Sequence, residues 1–558
     1  MLKAPALPLV ALAAILTLGA CTEAMTEKEY LAQREALIEN ESTHDRALPA
    51  LLKLMEDEDT FSREFWHFKI DQYLYGQYPD FQRIYDAYRE GKAFTDIYDL
   101  DLESTLAATP DVSDNLPLPE IPDGHFSDNL PNNTHTGSTL FVDGKVYVSY
   151  EGHLTDPYIA SFDVENHVWD GPYKAGHSTL SKNGRKIDSH GRPALQVNGD
   201  GHFHIVFGGH GGEWEDGLNP MSFDTPHAGG RMLHVATEKP GDISSWIQKD
   251  DISPFASYTK IMKMGNGDIY FFTRAGTHKS PWIYYKMENG SQTFGEPVKI
   301  TWPTISEGDP VDVDTFYINP KKVSDTEILI TFLWHICNFR EIHNKVHYSR
   351  INTYYMKLDT SDDTFYNVEG KKLEVPITKK IADTYALAYD SEATGETSFS
   401  TEPLPDQDGK PSAAYIALGQ GYREWRMVQY QDAEWVHSLP MPGTESRTLI
   451  DENGKPVKRI FDLERIESKD KSKTAAVLYT DDNGNAAFGI ASTSSELGTV
   501  GQDWKVDKVF ASVPKSRMEF QAVRNDDGKA EAIILNIRKG KAQRLYLWHD
   551  GQFWPTNK

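Results

Sequence analysis

One unit recurs along most of the chain: an opening strand, a turn with Gly and Asp or Asn, an alternating strand, a second strand rich in aromatics, and an ending that contains Trp or Phe. Copies are read at 136–173, 190–247, 257–301, 309–370, 397–439, 460–513 and 517–555, seven in all. A short sheet cannot bury its own faces and must stack on its neighbours, so a repeat of about 40 to 60 residues constrains the architecture strongly. Turns such as Val142-Asp143-Gly144-Lys145, Asn198-Gly199-Asp200-Gly201, Gly265-Asn266-Gly267-Asp268 and Asp481-Asp482-Asn483-Gly484 supply the positive φ of tight hairpins. The expected class is all-β, a seven-bladed β-propeller. Two tandem β-sandwiches are the alternative, and they explain the regular spacing less well.

Residues ahead of the repeats read differently. Thr26-Glu27-Lys28-Glu29 has the form of a capping box, and Leu31, Leu37, Ile38, Phe61, Phe65, Phe68, Phe81, Ile84, Tyr85 and Tyr88 recur at helical spacing. The first residues carry Lys3, an apolar run over 5–18 and then Leu18-Gly19-Ala20-Cys21, which resembles a bacterial lipoprotein signal with Cys21 as the lipidated thiol. Thr22 stands where an Asp would direct retention at the inner membrane, so a lipid-anchored place in the outer membrane or at the cell surface is expected. The expected organisation is a signal peptide at 1–20, a small N-terminal helical extension at 21–108, a linker rich in Pro, Asp and Asn at 109–133, and the propeller at 134–558, in a monomer.

Asp and Glu number 83 against 57 Lys and Arg, a net charge of −26. That excludes a general nucleic-acid or anionic-membrane binder, because a polyanion is drawn to basic surface. An acidic polysaccharide substrate would require a local cationic cleft, which screening over about 8 Å at physiological salt permits. Of the two cysteines, lipidation of Cys21 leaves Cys337 without a disulfide partner.

Candidate chemistry concentrates in the second and third repeats. Between Gly176 and Gly212 lie His177, His190, His202, His204 and His210. His190 stands just before a strand, His210 just after one, Tyr258 opens the third repeat and Arg274 ends its second strand, all at strand ends where a propeller gathers its loops. Cleavage of a uronate polymer by β-elimination needs a cation to neutralise the carboxylate, a base for the proton on the α carbon, and an acid for the departing glycosidic oxygen. Arginine's planar fork suits the first task, and histidine and tyrosine suit the other two. Arg274 is expected in an open cleft, where its loss would leave folding intact. His202 and His204 fall inside a strand and are read as structural.

Asp188-Ser189-His190-Gly191-Arg192-Pro193-Ala194, Phe207-Gly208-Gly209-His210-Gly211, Ser257-Tyr258-Thr259-Lys260 and Phe272-Thr273-Arg274-Ala275-Gly276 together resemble the seven-bladed propeller ulvan lyases and related proteins with sialidase-like repeats. The step from Tyr258 to Arg274 is the most specific part, and the resemblance covers roughly 134–555. It implies an anionic polysaccharide substrate, acid and base work shared by His190 and Tyr258 in either order, substrate binding by His210, and neutralisation of the uronate by Arg274. The chain departs in having Ser189-His190-Gly191 where the family commonly shows Asp-His-Asn, which puts contacts of the missing side chains in doubt.

Trp334-His335-Ile336-Cys337, followed by His343 and His347, forms a second cluster in the fourth repeat, with His278 just beyond Arg274. Imidazole and thiolate are zinc ligands. A buried free Cys337 is the alternative reading; the resemblance implies a structural zinc near the cleft, and the ligand set read here is His278, His335, Cys337 and His347, although His343 could replace one and His335 could instead help bind the uronate. The acidic turns Asp312-Val313-Asp314 and Asp481-Asp482-Asn483-Gly484-Asn485 lack a full calcium loop and are read as solvated. Two other functions remain open: a non-enzymatic glycan-binding propeller, and a sialidase-type hydrolase, although no Ser-x-Asp-x-Gly-x-Thr-Trp repeat occurs.

Overall fold

The computed structural model describes residues 126–127 and 138–555 apart from short loops, the longest being 181–188, 222–228, 306–312, 337–348, 439–448, 467–472 and 494–503. The expected helical extension, the signal with Cys21 and most of the linker lie outside the described residues, as do Cys337, His343 and His347. Among the described residues no helix is long and apolar enough to cross a membrane.

Among the described residues, seven separate sheets follow one another at 138–174, 194–249, 257–299, 304–389, 397–438, 449–513 and 516–553, here blades 1 to 7. Five are four-stranded antiparallel meanders in which strand order equals chain order. Two depart from the expected four strands. Blade 4 has six, with Thr304–Ile305 before the meander and Leu387–Tyr389 beside its third strand. Blade 6 has five, because Leu449–Ile450 pairs in parallel with Trp504–Val513.

Alternation along the second strands explains why the sheets stack as a ring. In blade 2, Phe203, Ile205 and Phe207 pack with Tyr147 and Ile159 of blade 1, whereas Val206 joins Phe271, Ile283 and Tyr285 of blade 3. Blade 3 repeats this: Ile269 and Phe271 belong to the core shared with blade 2, while Tyr270 and Phe272 meet Phe316 and Phe332 of blade 4. Successive side chains of a strand point to opposite faces, so a strand between two neighbours is apolar on both sides. Further cores join blades 4 and 5 through Leu329, Tyr355 and Tyr415, and blades 6 and 7 through Leu478, Phe488, Phe520 and Leu535.

The ring closes where Val146, Val148 and Phe162 of blade 1 meet Ile534, Leu545 and Leu547 of blade 7. Tandem sandwiches would not link the first sheet to the last. Phe126 is fully buried in this seam, stacked on Trp169 at 4.8 Å between ring centroids. Its backbone N–H donates to the Leu545 carbonyl at 3.0 Å, and Leu545 N–H donates to Ser127 Oγ at 2.9 Å. From the other side, Trp169 Nε1 donates to the Trp554 carbonyl at 3.2 Å.

Candidate active site

The beginnings of the inner strands and the ends of the second strands share one mouth of the propeller, and backbone irregularities there aim the candidate residues. In blade 2, Gly208, Gly209, Gly211 and Gly212 all have positive φ, between 63° and 113°. The pairing with the third strand slips between Gly208 and Gly212, so His210 sits on an irregular stretch inside a strand longer than expected, Phe203–Gly212. His190 lies in the single helical turn Ser189–Gly191. A Cβ on Gly191 would fall 1.3 Å from the Gly208 carbonyl oxygen, which accounts for glycine at this departure from the family pattern. The close approach leaves the His190 and His210 rings stacked, with centroids 4.0 Å apart and planes 12° from parallel.

Blade 3 contributes Tyr258 through a similar device. Register between the inner and second strands shifts between Phe272 and Arg274, leaving one extra residue on the inner strand. Tyr258 there has a φ of 70°, a conformation that costs a bulky residue about 1–3 kcal/mol. Its ring meets His190 edge-on at 4.9 Å and stacks on Trp282 at 5.4 Å. Burial pushes the phenol up, against the lowering pull of the Arg274 and Arg350 guanidiniums, so it holds its proton at neutral pH.

Arg274 is not in an open cleft, contrary to expectation: it is 1% exposed. Nε donates to Ser257 Oγ at 3.0 Å and Nη1 to the Tyr317 hydroxyl at 3.0 Å, while its Cζ lies 4.9 Å from the Tyr258 ring centroid and 5.3 Å from that of Tyr317. Ser257 Oγ in turn donates to the Gly276 carbonyl. The guanidinium is thus held between two blades by hydroxyls and aromatic faces, and its position is fixed by packing.

Sequence reasoning missed Tyr317, Arg350 and Phe399. Tyr317 lies on the inner strand of blade 4, as Tyr258 does in blade 3, and that repeat position could have found it. The Arg350 guanidinium lies over the rings of Tyr317 at 4.4 Å and Phe399 at 4.7 Å, and Nη1 donates to the Phe399 carbonyl at 2.9 Å. Deeper along the inner strands, Lys260 donates to Asn319 Oδ1, and burial, with Arg192 nearby, brings its amine down to about 8. Thr259 Oγ1 donates to the Arg192 carbonyl at 2.5 Å. Arg274 and Arg350 both act on Tyr258, which puts positive charge beside it in an acidic protein, as an anionic substrate would require, whereas Arg192 is offset by Glu151 and Glu519 and Lys260 by Glu402.

Two histidines expected to be structural are so. His202 Nδ1 lies 2.9 Å from the Thr237 carbonyl. His204, fully buried, faces His234 at 3.1 Å, and His234 is held by Asp251 at 2.9 Å; burial, then His234, brings His204 down to about 3. The Asp481 carboxylate is taken up by its own turn, accepting from Asn483 and Asn485 N–H and from Ser512 Oγ. Of the zinc candidates, His278 and His335 are brought together, their centroids 6.2 Å apart. His335 also meets Tyr317 edge-on at 4.9 Å, which ties this pair to the Arg274 cluster.

The defining pattern of the BNR repeat-containing family matches residues 145–439. Among curated proteins, an ulvan lyase of Pseudoalteromonas sp. (strain PLSV) is 34% identical over 332 residues, 56% of this chain and 66% of the relative. An ulvan lyase of Nonlabens ulvanivorans is 34% identical over 314 residues, 54% of this chain and 65% of its own length. The matches therefore span a little under two thirds of these relatives. A solved PL25 ulvan lyase bound to -[GlcA(1-4)Rha3S]- is similar in fold, with a TM-score of 0.61 and 28% identity over 77% of this chain and 96% of that one.

Proposed function

This chain belongs to the BNR repeat-containing family, and from that premise we propose that it is a polysaccharide lyase of the ulvan lyase type. It cleaves a uronate-containing sulfated polysaccharide by β-elimination and releases unsaturated uronyl oligosaccharides. The observation that carries this is the run of contacts from His210 through His190 and Tyr258 to Arg274 at one mouth, in a chain similar to enzymes named for that activity.

In the proposed reaction, Arg274 and the neighbouring Arg350 supply the positive field that stabilises charge developing on the uronate carboxylate as C5 loses its proton. Tyr258, kept protonated by burial, is the acid, and His190 is the base. The C5 proton passes to His190, the C4–O4 bond breaks, O4 takes the phenolic proton, and a C4=C5 double bond forms. His210, stacked on His190, orients that imidazole and contacts the sugar.

A structural zinc held by His278, His335, Cys337 and His347 belongs to the same proposal. His335 fits it in chemistry, because burial pushes its imidazole well down and leaves it neutral, the form that binds metal. Such an ion would tie blades 3 and 4 together beside the Arg274 cluster. Zinc analysis of Cys337→Ser tests it, with a loss of bound metal expected. Lipidation at Cys21 would hold the enzyme, as a monomer, at the outer membrane or cell surface, where an extracellular polymer is met.

The deciding experiment incubates purified protein with ulvan and follows ultraviolet absorbance. New absorbance from an unsaturated uronate is expected. New reducing ends without it would indicate a hydrolase, and binding without either would indicate a glycan-binding propeller.

A further inference from the structure

We propose a second metal site, on the closing seam and away from the candidate active site, in which His167, His549 and Asp550 bind a zinc ion that clamps blade 1 to blade 7. One ligand atom from each residue lies within 4.8 Å of the others, the three forming a possible metal-binding group among the described residues. His167 sits on the turn between the third and fourth strands of blade 1, and His549 and Asp550 sit at the last hairpin of blade 7.

Two features orient this group beyond proximity. His549 is buried and its Nδ1 donates to the Glu531 carbonyl at 2.5 Å, which fixes the tautomer that turns the Nε2 lone pair toward Asp550 Oδ2, 3.8 Å away. A ring nitrogen tied to a backbone carbonyl is the usual outer support of a metal-bound histidine. His167 is held in the left-handed region at φ 57° by its N–H bond to the Asp163 carbonyl, and its ring stacks on Trp554 at 4.2 Å, 5.6 Å from the His549 ring. Phe162 also lies against both imidazoles, so the pocket is walled by aromatic rings.

Two nitrogens and one carboxylate oxygen select zinc over calcium or magnesium, which prefer oxygen ligands. Tetrahedral zinc at about 2.0–2.2 Å from its ligands places them about 3.4 Å apart, so atoms that now lie within 4.8 Å of one another must close by up to about 1.4 Å. Asp550 can supply that movement, since its side chain is 76% exposed on a turn. Water would take the fourth position. Because the ligands come from the first and last blades, the ion would stabilise the closed ring over the opened one by mass action.

The test uses full-length protein stripped with a chelator and titrated with zinc chloride, with bound metal and melting temperature measured. The variants are His167→Asn, in which Asn tolerates the left-handed backbone, and Asp550→Asn, made in the wild type and in Cys337→Ser so that the other proposed zinc is counted separately. Expected is the loss of one zinc equivalent when both substitutions are present in either background, together with loss of a zinc-dependent rise in melting temperature of a few degrees. If the paired substitutions leave zinc uptake and the zinc-dependent melting shift of Cys337→Ser unchanged, or if Cys337→Ser binds no zinc at all, the seam site does not exist.

Discussion

Replacing Arg274 by alanine should damage the fold and the chemistry together, and the structure sets the scale of each. The guanidinium makes two hydrogen bonds at 3.0 Å to hydroxyls and lies against two aromatic rings, with 1% of its surface exposed. A hydrogen bond from a charged donor contributes about 1.5–3 kcal/mol, and a desolvated cation–π contact up to about 2. Relief of a buried charge offsets part of this, so a net loss of about 3–5 kcal/mol is expected, in the range for breaking a buried polar network. Removing the cation from the developing enolate should lower the rate by at least about 10²-fold. Stability is read from the urea midpoint, and rate from product absorbance at a temperature where the variant is folded. Arg274→Lys keeps the charge but lacks the fork that reaches Ser257 and Tyr317 together, and should fall between wild type and alanine in both measurements. An Arg274→Ala protein with the wild-type urea midpoint, or a folded one that keeps more than a tenth of the activity, would refute the role assigned here.

Three further outcomes are expected. Tyr258→Phe keeps the ring contacts with His190 and Trp282 but loses the hydroxyl's hydrogen bond to Tyr317, so stability should fall by only about 1 kcal/mol while the rate falls by at least about 10²-fold; a loss confined to KM would make Tyr258 a contact residue only. Gly191→Ala puts a Cβ 1.3 Å from the Gly208 oxygen, so the His190 turn must move, and activity should drop at least about tenfold with a lower melting temperature; wild-type values would show that the loop yields freely. Folded His204 accepts a proton only near pH 3 whereas the unfolded residue does so near 6.5, so the unfolded state binds more protons between these values and stability falls as pH drops, by up to about 1.4 kcal/mol per unit. His204→Gln should therefore show a shallower decline in urea midpoint from pH 7 to pH 5, and an unchanged slope would argue against a neutral buried His204.

The propeller was legible in the sequence because its signal is local and repeated: a glycine turn and an alternating strand mark each blade, and the expected units fall close to the observed sheets. The extra strands of blades 4 and 6 were not legible, since Thr304–Ile305 and Leu449–Ile450 are two residues long and carry no period of their own. In the candidate site, His190, His210, Tyr258 and Arg274 could be read from motifs. The burial of Arg274 could not, because it depends on Tyr317, more than 40 residues later in the next blade. Arg350 and Phe399 gain their meaning from stacking across blades, a relation that leaves no spacing pattern along the chain.

The seam also governs when folding can finish. Its contacts join Trp169 to Trp554 across 385 residues and Ser127 to Leu545 across 418. During synthesis, blade 1 must therefore wait with Val146, Val148 and Phe162 facing solvent until nearly the whole propeller has been made. Contacts of such sequence separation form late, after most of the loop entropy has been lost, and apolar sheet faces exposed meanwhile can capture other chains. A nascent or freshly refolding chain should accordingly be most vulnerable to aggregation at its first blade, although that blade is complete long before the last.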